Sequence, residues 1–353
     1  MSTLMVMAGG TGGHVYPAMA VADALKAKGW KIVWLATEGG MENRLIDGKD
    51  YSVATIQMRG VRGNGVMRWL MLPKRLWVAC RQSLAALREH RPDVVLGMGG
   101  FAAFPGGLMS WIQRRPLVIH EQNSVAGLTN KALSRFARRV LAAFPSAFGE
   151  QATLVGNPVR SDIVGTALPD ERFAGREGRL RLLVVGGSLG AQVLNEVVPQ
   201  ALALLPAEQR PRVIHQAGVK HIDTLNDNYA RAGVEAETRA FIDDMAGMYA
   251  WSDLVICRAG ALTIAELAAV GVASVLVPFP HAVDDHQTGN ARYLSEHDAA
   301  VLMPQPELTP QKLAQLLQHF NRETLLAMAN KARTLGKPYA TEAVAGICEE
   351  LAA

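Results

Sequence analysis

The chain has 353 residues, 49% of them apolar and 19% charged, and a net charge of +4. That length predicts two domains with enough apolar content for a core in each. Its three cysteines, Cys80, Cys257 and Cys348, form no metal-ligand spacing and no even disulfide set, which excludes a disulfide-stapled scaffold and suits a reducing cytosol. "MSTLMVMAGG" lacks the basic start and cleavage site of a signal peptide. The net charge hides an asymmetry. Residues 1–160 hold 20 Lys and Arg against 9 Asp and Glu, whereas 161–353 hold 16 against 23. The N-terminal half is therefore expected to meet something anionic: a nucleic acid, a phosphorylated substrate or an anionic lipid surface.

In chain order, the first element is an apolar strand ending in "AGGTGGHVYPA", where Gly9, Gly10, Gly12 and Gly13 surround Thr11 and His14 opens a helix placed over 17–28. Glycines cost backbone entropy, and a bare loop at a helix N-terminus is a ready anion site, so a phosphate is the expected ligand. The loop is neither a P-loop, which needs Lys-Ser/Thr after its last glycine, nor G-x-G-x-x-G, and tight strand–helix packing without a ligand is the alternative. Further on, "RGVRGNGVMRWLMLPKRLWVACRQ" sets an apolar run, Met67, Trp69, Leu70, Met71 and Leu72, among Arg59, Arg62, Arg68, Lys74, Arg75 and Arg81. A basic rim around an apolar tip suits an anionic membrane surface. Pro73 is expected to begin a helix whose stripe of Leu76, Trp77, Cys80, Leu84 and Leu87 faces the core. Nucleic acid is set aside as a partner, because no recognition helix or aromatic platform is present.

Residues 94–112, "VVLGMGGFAAFPGGLMSWI", are uncharged and long enough for a bilayer, but five glycines and Pro105 make them strand, glycine loop and helix start. "VIHEQNSVAGLTNK" places His120, Glu121, Gln122 and Asn123 just past a strand, with a helix cap by Asn123 or Ser124 as the plain alternative. A helix is placed over 130–139. "GNPVRSDI", 156–163, reads as a hinge, and 165–179 as an irregular lead-in to the second half.

There the opening pattern returns: "RLLVVGGSLGAQ" is again strand, Gly-Gly-hydroxyl loop and helix. Apolar runs such as "KIVWLA", "DVVLGM", "PLVIHE", "DLVICR" and "ASVLVPF" alternate with helices, including one over 261–270. The fold class is therefore α/β, with two doubly wound parallel-sheet domains and ligands expected at the carboxyl ends of their strands. In "DLVICRAGALTIAELAAVG" the helix start at Ala261 could hold a diphosphate. Glu266 is either a ribose ligand or, with Thr263, half of a capping box. "PFPHAVDDHQTGNA" concentrates Asp284, Asp285, His286, Gln287 and Asn290 as sugar readers, unless the two aspartates simply favour a helix N-terminus. No Asp-x-Asp occurs and the His and Asp residues lack a compact ligand spacing, so no metal site is expected.

"AGGTGGHVYPA", "GMGGFAAFPGG", "HEQN", "GNPVR", "VVGGSLGA", "FIDDM", "CRAGALTIAEL" and "DDHQTGNA" occur in that order. Together they resemble the bacterial peptidoglycan glycosyltransferases of the MurG family, from about residue 4 to the C-terminal region. The resemblance implies a GT-B glycosyltransferase, two Rossmann-like domains facing a cleft. Residues 1–162 would form an acceptor- and membrane-binding domain and 163–337 a UDP-sugar-binding domain, with a last helix, 338–353, returning to the first. It implies inverting, metal-independent transfer of N-acetylglucosamine from UDP-N-acetylglucosamine to the C4 hydroxyl of the muramoyl-pentapeptide in lipid I, giving lipid II, with no cofactor. The place would be the cytoplasmic face of the inner membrane, as a peripheral protein, with cell-wall synthesis or division proteins as further partners.

Carried over by motif, the uracil would meet the backbone at Ile242 and the ribose would be held by Glu266. The diphosphate would lie at Ser188 and the helix start Ala261, Leu262, Thr263, Ile264 and Ala265, with Arg160 as a charged neighbour. Gln287 would read the sugar, Asn123 would approach from the first domain, and Thr11, Gly12 and Gly13 would face the donor sugar and the acceptor's diphosphate. His14 is the candidate base, with a phosphate hydrogen bond as its rival role and Glu121 as second choice for the base. Phe101, Phe104 and Leu189 stand where the family more often has tyrosine, a small residue and glutamine. A UDP-N-acetylglucosamine 2-epimerase and a non-catalytic nucleotide-sugar-binding protein that docks on membranes are the alternative functions.

Overall fold

A computed structural model describes residues 1–58, 66–187 and 190–353, with the backbone alone at 66–70 and 283. The chain divides into two compact units, Met1–Arg160 with Pro338–Ala353, and Ser161–Lys337.

The first unit is built on seven strands: β1 (Thr3–Met7), β2 (Lys31–Thr37), β3 (Ser52–Ile56), β4 (Val94–Gly97), β5 (Leu117–Glu121), β6 (Arg139–Ala142) and β7 (Thr153–Leu154). All pair in parallel, in the order β3-β2-β1-β4-β5-β6-β7. Side chains alternate across a strand, so a sheet covered on both faces needs apolar residues at odd and even positions alike. That is why its strands read as unbroken apolar runs. Leu4, Val6, Ile32, Trp34, Val94 and Leu96 fill one face, together with the Gly12–Ala27 helix. Val344, Ala345 and Cys348 of the Ala340–Ala352 helix complete that layer, which ties the C-terminus to the first unit. Met5, Met7, Val33, Leu35, Val95 and Leu117 fill the opposite face, with Ala79, Ala86 and Leu87 of the Val66–His90 helix and Ala103 and Met109 of the Ala103–Ile112 helix.

The second unit repeats the scheme with β8 (Arg181–Val185), β9 (Arg212–Gln216), β10 (Glu237–Arg239), β11 (Leu254–Cys257), β12 (Ser274–Leu276) and β13 (Val301–Leu302), ordered β10-β9-β8-β11-β12-β13. Counted from its own first strand, each sheet runs 3-2-1-4-5-6, the Rossmann order, and the first adds a seventh strand. In both, the strand order reverses between the first and fourth strands. Loops diverge there and leave room for a ligand.

Several boundaries differ from expectation. The first helix begins at Gly12, not 17, with Thr11 as its extended N-cap, so Gly12 and Gly13 form its first residues. Pro73 lies inside the Val66–His90 helix and does not start it. The helix expected over 130–139 is only Leu128–Leu133, since the chain must re-enter the sheet as β6 at Arg139. The lead-in 165–179 contains a Pro169–Phe173 helix. Buried Arg172 anchors it by donating to the carbonyls of Val270, Gly271 and Tyr249, while Arg176 pairs with the fully buried Asp253. Among the described residues, no helix is long and apolar enough to cross a membrane.

Candidate active site

In the first unit, three strand ends meet at the switch point. The loop after β1 carries Thr11 as N-cap of the Gly12–Ala27 helix, with no side-chain cap hydrogen bond, so its first N–H groups are left for another acceptor. The loop after β4 presses against it. A Cβ on Gly100 would come within 2.5 Å of the Gly9 carbonyl oxygen, and one on Gly99 within 2.9 Å of the His14 ring. Both residues have positive φ, +91° at Gly100 and +96° at Gly99, so only glycine fits there without strain. The loop after β5 supplies Gln122, 1% exposed, whose Oε1 lies 3.0 Å from Nδ1 of His14.

Sequence reasoning missed Glu42, a fully buried carboxylate beneath this loop. It accepts from Thr37 N at 2.8 Å, Thr37 Oγ1 at 2.6 Å and Gly10 N at 3.3 Å. A Cβ at Gly9 or Gly40 would run into that carboxylate. One N–H of the glycine loop is therefore already engaged by a protein carboxylate. The one available signal was Gly39-Gly40 shortly before an acid that opens a short helix.

The remaining polar set after β5 separates by role. Glu121 is 2% exposed and accepts from Asn123 N (3.0 Å), Gly127 N (3.1 Å) and Asn130 Nδ2 (2.8 Å). A carboxylate so occupied with loop donors organises the loop after β5. The same bonds hold Asn123 half-buried at the loop tip. Neither Asn123 nor Ser124 caps a helix, since the Leu128–Leu133 helix starts from Gly127. His120 is a core histidine: its ring bonds the Gly156 carbonyl at 2.8 Å, and burial pushes its pKa down to about 4.

In the second unit, the first switch-point loop follows β8. Gly187 and Gly190 have φ of +85° and +79°, and a Cβ at Gly190 would strike the Ala217 carbonyl. Ser188 and Leu189 lie outside the described residues. The second loop, after β11, leads through Gly260 into the Ala261–Val270 helix. Gly260 is the N-cap and has no side chain to cap with, so the N–H groups of Ala261, Leu262 and Thr263 form an uncapped, positive helix end. Thr263 is thus three residues inside the helix and cannot be an N-cap, which removes the capping-box reading. Glu266, 8% exposed, instead accepts from the Tyr249 hydroxyl at 2.9 Å. Ile264 points into the core and offers only backbone, whereas Leu262, Thr263 and Ala265 are half-buried.

Ile242 is 5% exposed in the segment after β10, just before Asp244 caps the Met245–Trp251 helix by accepting from Gly247 N. Gln287 accepts from Phe279 N at 2.9 Å. Asp284 and Asp285 do not sit in a helical first turn. Both take left-handed backbone, φ +53° and +49°, ahead of the His286–Ser295 helix. Asn290 is fully buried and donates to the Ala259 carbonyl at 3.2 Å, so it holds the loop before the helix. Arg160 is half-buried at the end of the Met1–Arg160 segment. Among the described residues, no group of three or more His, Cys, Asp or Glu is arranged to hold a metal ion.

On the Val66–His90 helix, the side chains of Met67, Trp69 and Leu70 lie outside the described residues. Met71 is 44% exposed, Lys74 is exposed, and Leu72 and Arg75 are half-buried. The buried face is Ala79, Ser83, Ala86 and Leu87. Trp77, expected in the core, is 59% exposed with the Arg81 guanidinium 4.9 Å above its ring. Cys80, Leu84 and Leu87 of the expected stripe pack on the core with these small residues, while the indole of Trp77 turns outward.

Comparison with known proteins places the chain. Residues 4–142 match the glycosyltransferase family 28 N-terminal domain and residues 181–347 the glycosyltransferase family 28 C-terminal domain. A UDP-N-acetylglucosamine--N-acetylmuramyl-(pentapeptide) pyrophosphoryl-undecaprenol N-acetylglucosamine transferase from Azoarcus sp. (strain BH72) is 60% identical, covering 100% of this chain and 99% of that protein. Its counterpart from Dechloromonas aromatica (strain RCB) is 57% identical over 99% of each. The crystal structure of Acinetobacter baumannii MurG matches with a TM-score of 0.88 at 42% identity, over 99% of this chain and 100% of that one. A UDP-GlcNAc 2-epimerase from Neisseria meningitidis reaches a TM-score of 0.65 at 12% identity, over 99% and 100%, which is likeness of fold alone. With two Rossmann-like units of GT-B type and identity that runs its whole length, the chain belongs to the MurG family of glycosyltransferases.

Proposed function

We propose that the protein transfers N-acetylglucosamine from UDP-N-acetylglucosamine to the C4 hydroxyl of the muramoyl-pentapeptide in lipid I, with inversion at the anomeric carbon, giving lipid II. The observation that carries this reading is the 60% identity to such a transferase across the entire chain. In the second unit, Glu266 holds the ribose and the uncapped end at Ala261, Leu262 and Thr263 receives the diphosphate, with Ser188 as a further phosphate ligand. The uracil meets the backbone at Ile242, and Gln287 and Asn123 read the sugar. In the first unit, Thr11, Gly12 and Gly13 meet the acceptor's diphosphate.

The chemistry asks for a base at the acceptor and charge stabilisation at the leaving group. His14 takes the proton from O4, whose electron pair forms the new bond to C1 while the C1–O bond breaks toward UDP. Negative charge then grows on the departing diphosphate, where a helix N-terminus stabilises it without reorganising. Preorganised N–H groups of this kind need no metal ion as partner.

The lipid acceptor demands a membrane surface. Met71, Lys74 and Trp77, with the basic residues along the same helix, dock the first unit on the anionic cytoplasmic leaflet of the inner membrane. Trp77 suits an interface because its ring is apolar and its N–H polar.

The test is incubation of labelled UDP-N-acetylglucosamine with and without a short-chain lipid I analogue. Label extracted with the lipid, only when acceptor is present, is the expected result. Conversion of the donor to its 2-epimer without acceptor would replace this reading with the epimerase one.

A further inference from the structure

His14 is the third residue of its helix, half-buried, and its Nδ1 lies 3.0 Å from Oε1 of Gln122. Gln122 follows β5, Gly99 follows β4, and His14 follows β1, so three neighbouring strand ends converge on one imidazole. Gly99 presents bare backbone to the ring: a Cβ there would lie 2.9 Å from both Cε1 and Nδ1. The imidazole is therefore bonded on one nitrogen and confined along that edge, which leaves Nε2 as the atom on its far side.

A carboxamide oxygen accepts and cannot donate, so the neutral ring facing it carries its proton on Nδ1 and its lone pair on Nε2. We propose that Gln122 is a positioning residue for the transfer: it fixes His14 in the Nδ1–H tautomer and makes Nε2 the atom that removes the acceptor hydroxyl's proton. The catalytic half of this inference rests on the base role of His14 given above. When Nε2 takes the proton from O4, the resulting imidazolium keeps its Nδ1–H bond to Gln122, and the O4 electron pair goes to C1. A neutral partner has a consequence that a carboxylate would not. It orients the ring and favours the protonated form less than a carboxylate would. The other titratable groups nearby leave this arrangement intact. Glu121 is bound by its loop donors, His120 is neutral in the core, Glu42 is bonded beneath Gly10, and Tyr16 stands on the same helix beside Gly12.

Two variants and two readouts test this. In protein labelled with 15N-histidine, with the His14 signals identified by their loss in His14→Gln, the wild type should show protonated Nδ1 and bare Nε2. Gln122→Met should erase that preference and lower kcat about ten- to a hundredfold, less than the roughly hundred- to ten-thousandfold that a general base supplies because His14 itself remains, with the donor KM within about twofold. Gln122→Glu should keep the tautomer but stabilise the imidazolium, moving the acidic limb of the kcat–pH profile up by about one pH unit and restoring rate at alkaline pH. A merely structural role for Gln122 would change stability and leave that limb in place. Protonated Nε2 in the wild type, or a Gln122→Glu profile with an unmoved limb, would overturn the proposal. The base reading fails separately, if His14→Gln retains kcat while the tautomer is as stated.

Discussion

Removing the Tyr249 hydroxyl should weaken UDP binding, and only through Glu266. Tyr249 is 1% exposed and its hydroxyl donates to Glu266 Oε2 at 2.9 Å inside the second unit. A hydrogen bond to a charged group contributes roughly 1.5–3 kcal/mol to folding. Tyr249→Phe should therefore lower the melting temperature. The same bond fixes the carboxylate proposed to hold the ribose. If about 1.4 kcal/mol of orientation is lost in the complex, UDP affinity falls about tenfold. Glu266→Ala removes the ribose bonds themselves and should cost more. Because Tyr249 acts through Glu266, the double variant should bind UDP no worse than Glu266→Ala alone, a coupling expected of groups in direct contact. Calorimetric titration of UDP into the four proteins measures the cycle. Additive losses, or unchanged affinity in Tyr249→Phe, would refute the ribose assignment together with its support.

Other expectations follow from burial and backbone. Burial lowers the pKa of His120 to about 4 and that of His215 to about 3, so between those values and 6.5 the unfolded chain binds protons that the folded chain refuses. Stability is full above pH 6.5 and falls as the pH drops through this window, by roughly 3 kcal/mol for His120 at about 1.4 kcal/mol per unit. The His215→Leu, Tyr229→Phe pair removes both partners of a buried 2.9 Å hydrogen bond and should flatten the pH dependence of melting; an unchanged slope would contradict the assignment. Gly100→Ala should destabilise the protein by more than about 1 kcal/mol, because a φ of +91° and the Gly9 carbonyl both oppose a Cβ; an unaltered melting temperature would count against that loop contact. Met71→Asp with Trp77→Asp should cut sedimentation with phosphatidylglycerol-containing vesicles about tenfold or more, given about 1.5–3 kcal/mol for each buried apolar side chain. Unchanged sedimentation would remove this face from membrane docking.

The fold was legible because both sheets are buried on both faces, and such strands read as continuous apolar runs between glycine turns. The Ala261–Val270 helix was legible to the residue, since Gly260 and Gly271 bracket it. What failed was long-range. Trp77 fits an apolar helical stripe, but only the packing of Ala79, Ser83 and Ala86 against the unit decides which side turns in. Thr263 and Glu266 match a capping-box spacing, and only the true helix start, one residue after Gly260, rules it out. Glu42 and Tyr249 act on residues 32 and 17 positions away, Gly10 and Glu266, and no local pattern carries those distances. His120 and Glu121 are adjacent polar residues past a strand, yet one is a neutral core group and the other a loop organiser. Their hydrogen-bond partners, Gly156 and Asn130, separate them.

The measurement that tests the central claim most directly is transfer of radiolabelled N-acetylglucosamine from UDP-N-acetylglucosamine to a lipid I analogue in the presence of a chelator, with the new linkage read by NMR. The account predicts a lipid-linked disaccharide with a β linkage, formed at the same rate with and without chelator. An α linkage, or transfer that stops with chelator and returns with magnesium, would contradict it.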